Sequence, residues 1–220
     1  MLPHRRSLLT QLAWWNVGFH LTALALTWFF IRPGTPAFDV EARRLYLAAQ
    51  PHLWSIAWGA WMICALLQVA FYAVLASYLP ERRGIAALAV GIACAGAAID
   101  LLCDTIWIVV LPEVAAQGRQ AQSLFLVIER IAAAGGLVVA NGLYVLAAFL
   151  LTRCLRTQPN RVPGTLAMGY GVFLFGILLT VSGFTSSQWL AEAATGPTIL
   201  CFCAWVVLAA RSVCSDEEPL

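Results

Sequence analysis

The chain has 220 residues, of which 61% are hydrophobic and 11% charged, and its formal net charge is +2. A soluble domain is about half apolar and a quarter charged, so this composition excludes a soluble globule, a disordered chain and a disulfide scaffold. All thirteen basic residues are arginine, which excludes chemistry that needs a lysine amine and is typical of a GC-rich bacterial genome. The small net charge does not favour a nucleic-acid partner. We therefore expect an integral protein of the bacterial inner membrane.

Apolar runs of about 20 residues, the length that a helix needs to cross a membrane, occur six times. The sequence therefore predicts an all-α, polytopic bundle of six transmembrane helices in a single domain that covers residues 1–220. The longest connection, 32–52, is expected to be a loop on the outer side. The predicted spans are 8–31, 53–79, 84–111, 123–151, 165–183 and 188–210.

Arginine counts predict the orientation of the bundle, since basic loops remain in the cytoplasm. With the N-terminus inside, the cytoplasmic segments carry eight arginines and the outer loops carry four. Both termini are therefore expected in the cytoplasm. The four outer arginines are Arg32, Arg43, Arg44 and Arg119, and Arg130 alone falls within a span.

Small residues and cysteines predict packing and not chemistry. Runs of alanine and glycine at 93–98 and 132–136 let helix backbones approach closely, so we expect spans three and four at the centre of the bundle. The seven cysteines include no C-x-x-C motif and lie mostly in apolar runs, where a cysteine behaves as a small hydrophobic residue.

Ionisable residues within a span are costly in hydrocarbon and therefore mark a candidate site. Asp100 and Asp104 are four residues apart, so they share one helix face, which Trp107 continues. Glu129 and Arg130 lie about two turns into span four. We predict that Arg130 faces Asp100 and Asp104 and neutralises part of their charge. The alternatives are a structural ion pair between Asp100 and Arg130, and contact of Asp104 with headgroup water.

Aromatic residues lie at the same predicted depth as these charges. Trp54, Trp58 and Trp61 form one face of span two, and Glu192 begins span six. We expect these four residues and Trp107 to contact a bound molecule. For Trp54 and Trp189 the alternative is the aromatic belt that membrane proteins carry at the interface, and Glu192 could instead reach headgroup water.

Polar residues also occur near the middle of the membrane. Asn16 and His20 lie four residues apart in span one, with Gln68 in span two and Asn141 in span four. Asn16, His20 and Asn141 are further candidates for contact with a bound molecule, although a single histidine on an apolar face is typical of a hydrogen-bonded core residue. The chain has three histidines and no H-E-x-x-H motif, so we expect no haem, no metal site and no other cofactor.

Carboxyl groups, an arginine and a tryptophan lining predict a pocket for a lipophilic molecule that enters from the outer leaflet. In this hypothesis Asp100, Asp104 and Glu129 are the catalytic acid and base groups, with Arg130 and Glu192 beside the substrate. Aromatic faces stabilise developing cations, which suits metal-free cyclisation, isomerisation or epoxide opening of an isoprenoid, so an enzyme of this kind would be a cyclase, an isomerase or a hydrolase. A proton-coupled transporter that titrates the same carboxyl groups and a non-catalytic membrane subunit remain alternatives. The sequence leaves the oligomeric state open.

Four features together carry a resemblance to a known family. They are the six-span layout, the long first outer loop, Asp100 and Asp104 late in span three, and the turn Arg153–Arg161 followed by Val162–Pro163–Gly164. These features resemble an uncharacterised family of six-span bacterial membrane proteins that is classed as a domain of unknown function. The resemblance covers Leu8 to Arg211 and implies the fold without assigning an activity. In size and chemistry the chain is also similar to small integral-membrane terpene cyclases, which use acidic residues without a metal and commonly carry a further span.

Overall fold

A computed structural model describes residues 3–185 and 187–214. Residues 1–2, 186 and 215–220 of the predicted domain lie outside the described residues. Every element of regular secondary structure in the described part is helical, as the sequence predicts. The α-helices are α1 (Pro3–Leu26), α2 (Val40–Ala49), α3 (Pro51–Ala76), α4 (Arg83–Thr105), α5 (Leu111–Ala116), α6 (Gln122–Ala133), α7 (Asn141–Leu155), α8 (Thr165–Thr185) and α9 (Gln188–Cys214).

Within the described residues, five continuous helices are long and apolar enough to cross a membrane, which indicates a membrane-embedded protein. They correspond to the predicted spans two to six. Helix α1 is not among them and carries Gln11, Asn16 and His20 between its apolar residues. The five are Pro51–Ala76, Pro80–Ala116, Arg119–Leu155, Thr165–Thr185 and Gln188–Cys214.

In the part of the chain that the structure describes, six long helical segments pack in chain order around the larger of two apolar cores. Helix α1 packs on α3, α3 on α4, α4 on α7, α7 on α8 and α8 on α9, and α9 returns to α1. Phe71, Tyr72 and Trp205 are among the largest side chains that this core buries completely. The chain therefore forms a closed ring in which sequence neighbours are also neighbours in space.

Close packing between α4 and α7 confirms the role predicted for the small residues. Ala93 and Ala97 of α4 are buried, and a Cβ atom on Gly96 would lie 3.2 Å from the carbonyl oxygen of Ala140. The two helices are adjacent members of the ring, however, and do not form its axis.

The third and fourth long helices are longer than the predicted spans. Each runs over 37 residues, because π-helical turns at Ile106–Val110 and Ala134–Ala140 continue the α-helices instead of ending them. At 1.5 Å per residue each is about 55 Å long, whereas the hydrocarbon core of a bilayer is about 30 Å thick. The two helices therefore form a hairpin that extends beyond the hydrocarbon.

The segment 32–52, expected to be an open loop, folds onto this hairpin. Asp39 is the N-cap residue of α2, and its side chain accepts a hydrogen bond from the backbone N–H of Ala42 at 2.9 Å, as is typical of an N-cap. Helix α2 then packs on α5. We call α2, α5 and residues 119–125 the cap, and the end of the bundle that carries them the cap end. The second core, at this end, comprises Ile31, Leu47, Trp54, Ala57, Trp107, Leu111, Val114, Ala115, Ala121, Phe125 and Ala132.

Candidate functional site

Asp100 and Asp104, here called the acidic pair, lie on α4 inside the ring of helices. Asp104 is only 2% exposed and Asp100 is partly buried. Within 3–185 and 187–214, the Oδ2 atom of Asp104 has no hydrogen-bond partner, and neither carboxyl group forms an ion pair. A buried carboxylate without a partner is costly, so the acidic pair requires a proton, a cation or a ligand that donates to it.

Arg130 does not supply that positive charge. Its side chain lies on the exposed face of α6, together with the exposed side chains of Val127 and Ile131. The prediction that Arg130 neutralises the acidic pair is therefore wrong, and so is the alternative of an Asp100–Arg130 ion pair. The physical reason is helix geometry. Arg130 follows Glu129 directly, so the two side chains point about 100° apart. Because the Glu129 side chain points into the protein, the Arg130 side chain cannot do so.

Glu129 is paired with Arg43 of α2 instead. The Nη1 atom of Arg43 donates a hydrogen bond to Oε1 of Glu129, and both side chains are buried. The Arg43 guanidinium also lies 5.8 Å from the centre of the Phe125 ring. Sequence reasoning missed this pair because Arg43 was placed in an open loop. The signal that predicts it is Asp39, which marks the start of a helix that turns Arg43 inward.

Arg44 forms a second buried attachment of α2 to the hairpin. Its Nη1 atom donates to the carbonyl oxygen of Ala115 at 2.8 Å, and its Nη2 atom lies 3.0 Å from both carboxylate oxygens of Glu41. The hydrogen bond from Arg44 holds the pKa of Glu41 below its ordinary value, and Arg119 adds to the effect. The cap is therefore held by charged groups as well as by apolar packing.

Three tryptophans form a cluster that includes Trp107, which lies one helical turn after Asp104. The rings of Trp58 and Trp107 are parallel with their centres 5.0 Å apart, and Trp54 meets each of them edge-on at 5.8 Å. The Nε1 atom of Trp54 donates to the carbonyl oxygen of Trp107 at 2.6 Å. That carbonyl lies in the π-helical turn Ile106–Val110, a conformation frequent at functional sites. We call Trp54, Trp58 and Trp107 the tryptophan cluster.

The tryptophan cluster has one polar atom without a partner. Trp58 Nε1 is buried and has no acceptor among the residues that the structure describes. Trp54, by contrast, is 0% exposed and hydrogen-bonded, so the belt interpretation is wrong for it. Trp189 is 77% exposed, as the belt interpretation predicts.

Trp61, His20 and Asn16 connect α1 to α3. Trp61 donates from Nε1 to Oγ1 of Thr27 at 2.8 Å, and its ring meets that of His20 edge-on at 6.1 Å. His20 Nδ1 lies 2.9 Å from the carbonyl oxygen of Asn16, whose Nδ2 donates to the carbonyl oxygen of Leu67 at 3.0 Å. His20 is thus a hydrogen-bonded core residue, which confirms the expectation for a single buried histidine.

Two other predicted site residues bond elsewhere. Asn141 donates from Nδ2 to the carbonyl oxygen of Gly176 at 3.1 Å and to Oγ1 of Thr180 at 3.0 Å, which ties α7 to α8. Glu192 accepts a hydrogen bond from Nε of Arg32 at 3.3 Å, in a pair that is partly exposed. Asp104 and Trp107 of the tryptophan cluster thus lie one turn apart on the same long helix, whereas Asn141 and Glu192 form contacts between other segments.

Residues that the sequence analysis did not select lie beside the acidic pair. Tyr144 of α7 packs close to Gly96 of α4, and its buried hydroxyl has no hydrogen-bond partner in the described chain. Tyr144 and Cys64 of α3 both lie within electrostatic range of the two carboxyl groups. Gly136, in the π-helical turn of the fourth long helix, is also adjacent, because a Cβ atom there would lie 3.7 Å from Oδ1 of Asp100. A tyrosine or a cysteine in an apolar run carries no sequence signal for such a position.

The fold and the site define a membrane-embedded helical protein with a buried acidic pair beside a tryptophan cluster. Over the described ranges, no group of three or more His, Cys, Asp or Glu side chains is arranged to hold a metal ion. The chain matches no protein-family model, no curated protein and no solved structure. The function must therefore be argued from the site.

Proposed function

We propose that this chain is a six-span protein of the bacterial inner membrane that binds a lipophilic molecule at the acidic pair and isomerises or cyclises it by acid–base chemistry. The observation that carries the proposal is the buried Oδ2 atom of Asp104, which has no hydrogen-bond partner in the described chain. It lies one helical turn before Trp107, whose ring belongs to the tryptophan cluster.

The ring of helices supports a sixth span. Helix α1 packs on both α3 and α9, two of the five helices that can cross a membrane. With the π-helical turn Thr27–Ile31 it forms about 29 residues of continuous helix, or about 43 Å, which exceeds the hydrocarbon thickness. The arginine count supports the proposed orientation, with both ends of the chain in the cytoplasm.

The polar atoms left without partners indicate the kind of molecule that fits. Trp58 offers a buried N–H donor and Asp104 a buried carboxyl oxygen, and the buried hydroxyl of Tyr144 also has no hydrogen-bond partner in the described chain. The other buried side chains of the core at the cap end are aromatic or aliphatic. Small-molecule sites typically combine a largely apolar lining with a few polar groups that fix orientation. A lipophilic molecule with a single oxygen-bearing group, such as an isoprenoid alcohol or ketone, has this chemistry.

The two carboxyl groups lie in different surroundings, which suits an acid and a base. In the proposed reaction, Asp104 transfers its proton to one carbon of a substrate double bond, so a C–H bond forms, the π bond breaks and a carbocation results. Faces of the tryptophan cluster stabilise the cation. Asp100 then removes a proton from a neighbouring carbon and a new double bond forms. The product is an isomer of the substrate, so no oxidant or reductant is needed.

Glu129 has a different task in this proposal. Since its carboxylate accepts from Arg43, it holds α2 against α6 and does not act on the substrate. The acidic pair, which forms no ion pair in the described part of the chain, carries the chemistry alone.

Native mass spectrometry of the full chain, purified in mild detergent, tests binding. We expect the wild type to retain a small lipophilic molecule, and Asp104→Asn and Trp58→Phe to lose it. Glu113→Gln, which changes an exposed acid on the same long helix, should retain it. Loss of pH-driven solute uptake by proteoliposomes in Asp104→Asn, with no bound molecule in the wild type, would instead favour the transporter. Retention of the same molecule by all the variants would refute the proposed site.

A further inference from the structure

The end of the bundle opposite the cap holds a pocket lined by arginines. It lies between the turn that begins at Pro80 and the end of α7, and has a volume of about 330 Å³. Its lining residues are Arg82, Ile85, Arg153, Cys154, Arg156 and Thr157. Three of these six residues are arginines, and none of the six is acidic.

The positive charge in this pocket is not compensated by the described protein. In the ranges 3–185 and 187–214, Arg82, Arg153 and Arg156 form no ion pair with a carboxylate. A fourth guanidinium is close by, because Arg161 donates from Nη1 to the carbonyl oxygen of Arg156 at 2.7 Å. Basic residues at helix ends are ordinary in membrane proteins, but convergence of three of them on one pocket requires a further explanation.

The pocket continues into an apolar surface along the helices. Ile85 lines it, and Leu88 lies one turn further along α4, with both side chains exposed. On α7, the guanidinium of Arg153 lies 5.9 Å from the centre of the Phe149 ring, one turn closer to the middle of the bundle. Phe149 in turn packs against Phe173 of α8 at 4.5 Å. A ligand here would meet positive charge at one end and hydrocarbon at the other.

We propose that this pocket binds an anionic phospholipid of the surrounding membrane. The guanidinium groups of Arg82, Arg153 and Arg156 surround the phosphate, because arginine forms charge-assisted and often bidentate hydrogen bonds with phosphate oxygens. An acyl chain lies along Ile85 and Leu88. Basic pockets between transmembrane helices recognise lipid headgroups in this way. The site is at the opposite end from the acidic pair and does not depend on the proposed reaction.

The test is lipid binding to the full chain, measured by native mass spectrometry during titration with phosphatidylglycerol or with phosphatidylcholine. We expect the wild type to prefer phosphatidylglycerol. Exchange of all three arginines for glutamine should weaken binding of phosphatidylglycerol by at least about tenfold, the effect of losing one charge-assisted contact. Arg83→Gln is the matched control, since Arg83 adjoins Arg82 and does not line the pocket; this change should alter binding less than about twofold.

Three further results would decide between the explanations. Equal binding of the two lipids by the wild type, or unchanged phosphatidylglycerol binding by the triple variant, would overturn the proposal. Inorganic phosphate that binds as tightly as phosphatidylglycerol would show an anion site without lipid specificity, and would overturn the acyl-chain part. If the triple variant does not fold, Arg82→Gln and Arg153→Gln are titrated singly, and unchanged binding by both would contradict the proposal.

Discussion

Arg43 donates a hydrogen bond to the carboxylate of Glu129, although 86 residues separate them in the chain. Both side chains are buried between α2 and α6, and the Arg43 guanidinium lies 5.8 Å from the centre of the Phe125 ring. It fastens the cap to the long hairpin. Because Arg43 pairs with Glu129 and the Arg130 side chain is exposed, the acidic pair has no cationic partner among the described residues.

Exchange of Arg43 for glutamine should strongly destabilise the protein. Removal of one partner from a buried ion pair leaves the other charge uncompensated, which typically costs about 3–5 kcal/mol. We expect a clear fall in the thermal unfolding midpoint of Arg43→Gln in detergent. The double variant Arg43→Met with Glu129→Leu should recover much of the loss, because it buries no charge.

The matched control for this pair is Arg119→Gln. Arg119 also forms an ion pair, with Glu41 at 3.4 Å, but its side chain is 82% exposed. Exposed pairs contribute about 0–1 kcal/mol, so its midpoint should hardly change. Equal unfolding midpoints for Arg43→Gln and Arg119→Gln would show that the buried pair does not fasten the cap.

Trp54→Phe tests the hydrogen bond to the π-helical turn. The change keeps an aromatic ring and removes the N–H that donates to the Trp107 carbonyl at 2.6 Å. We expect a loss of about 1 kcal/mol from the bond, together with a weaker near-ultraviolet circular dichroism signal from the stacked pair Trp58 and Trp107. Trp189→Phe, at an exposed position, should leave both properties unchanged. A full stacking signal in Trp54→Phe would contradict this role.

The sequence predicts the helices well because their apolar length is a local property. It also predicts that Asp100 and Asp104 share a face, since a spacing of four residues is only slightly more than one helical turn. It does not predict which side of α6 faces the core, because apolar residues surround both Glu129 and Arg130 on the helix. Nor does it predict that the segment 32–52 folds inward, because its charges are equally typical of an outer loop.

Gly96→Ala tests the close approach of α4 and α7. The added Cβ atom would lie 3.2 Å from the carbonyl oxygen of Ala140, so the helices must separate slightly. Overpacking of this kind costs about 1–3 kcal/mol, which we expect as a lower thermal unfolding midpoint. Gly91→Ala on the same helix meets nothing within 4 Å, and should be neutral or stabilising by up to about 1 kcal/mol. A neutral Gly96→Ala would argue against tight packing here.

The stability of the cap should depend on pH through Glu41. Its pKa is lowered, first by the hydrogen bond from Arg44, so the ion pair stabilises the fold above the unfolded-state pKa and this contribution is lost as pH falls through the folded-state pKa. The difference in unfolding midpoint between wild type and Glu41→Gln should be constant from about pH 8 to about pH 5 and vanish in more acidic solution. A difference that grows on acidification would contradict the assignment.

The central claim is that Asp104 protonates a lipophilic substrate on carbon, and transfer of deuterium from solvent tests it most directly. The full chain in nanodiscs is incubated in D2O with the isoprenoid fraction of bacterial membrane lipids, and the products are analysed by mass spectrometry. We predict an isomer that carries one carbon-bound deuterium, formed by the wild type and by Glu113→Gln but not by Asp104→Asn. Carbon-bound deuterium at the same level with Asp104→Asn as with the wild type, or with neither, would contradict the account.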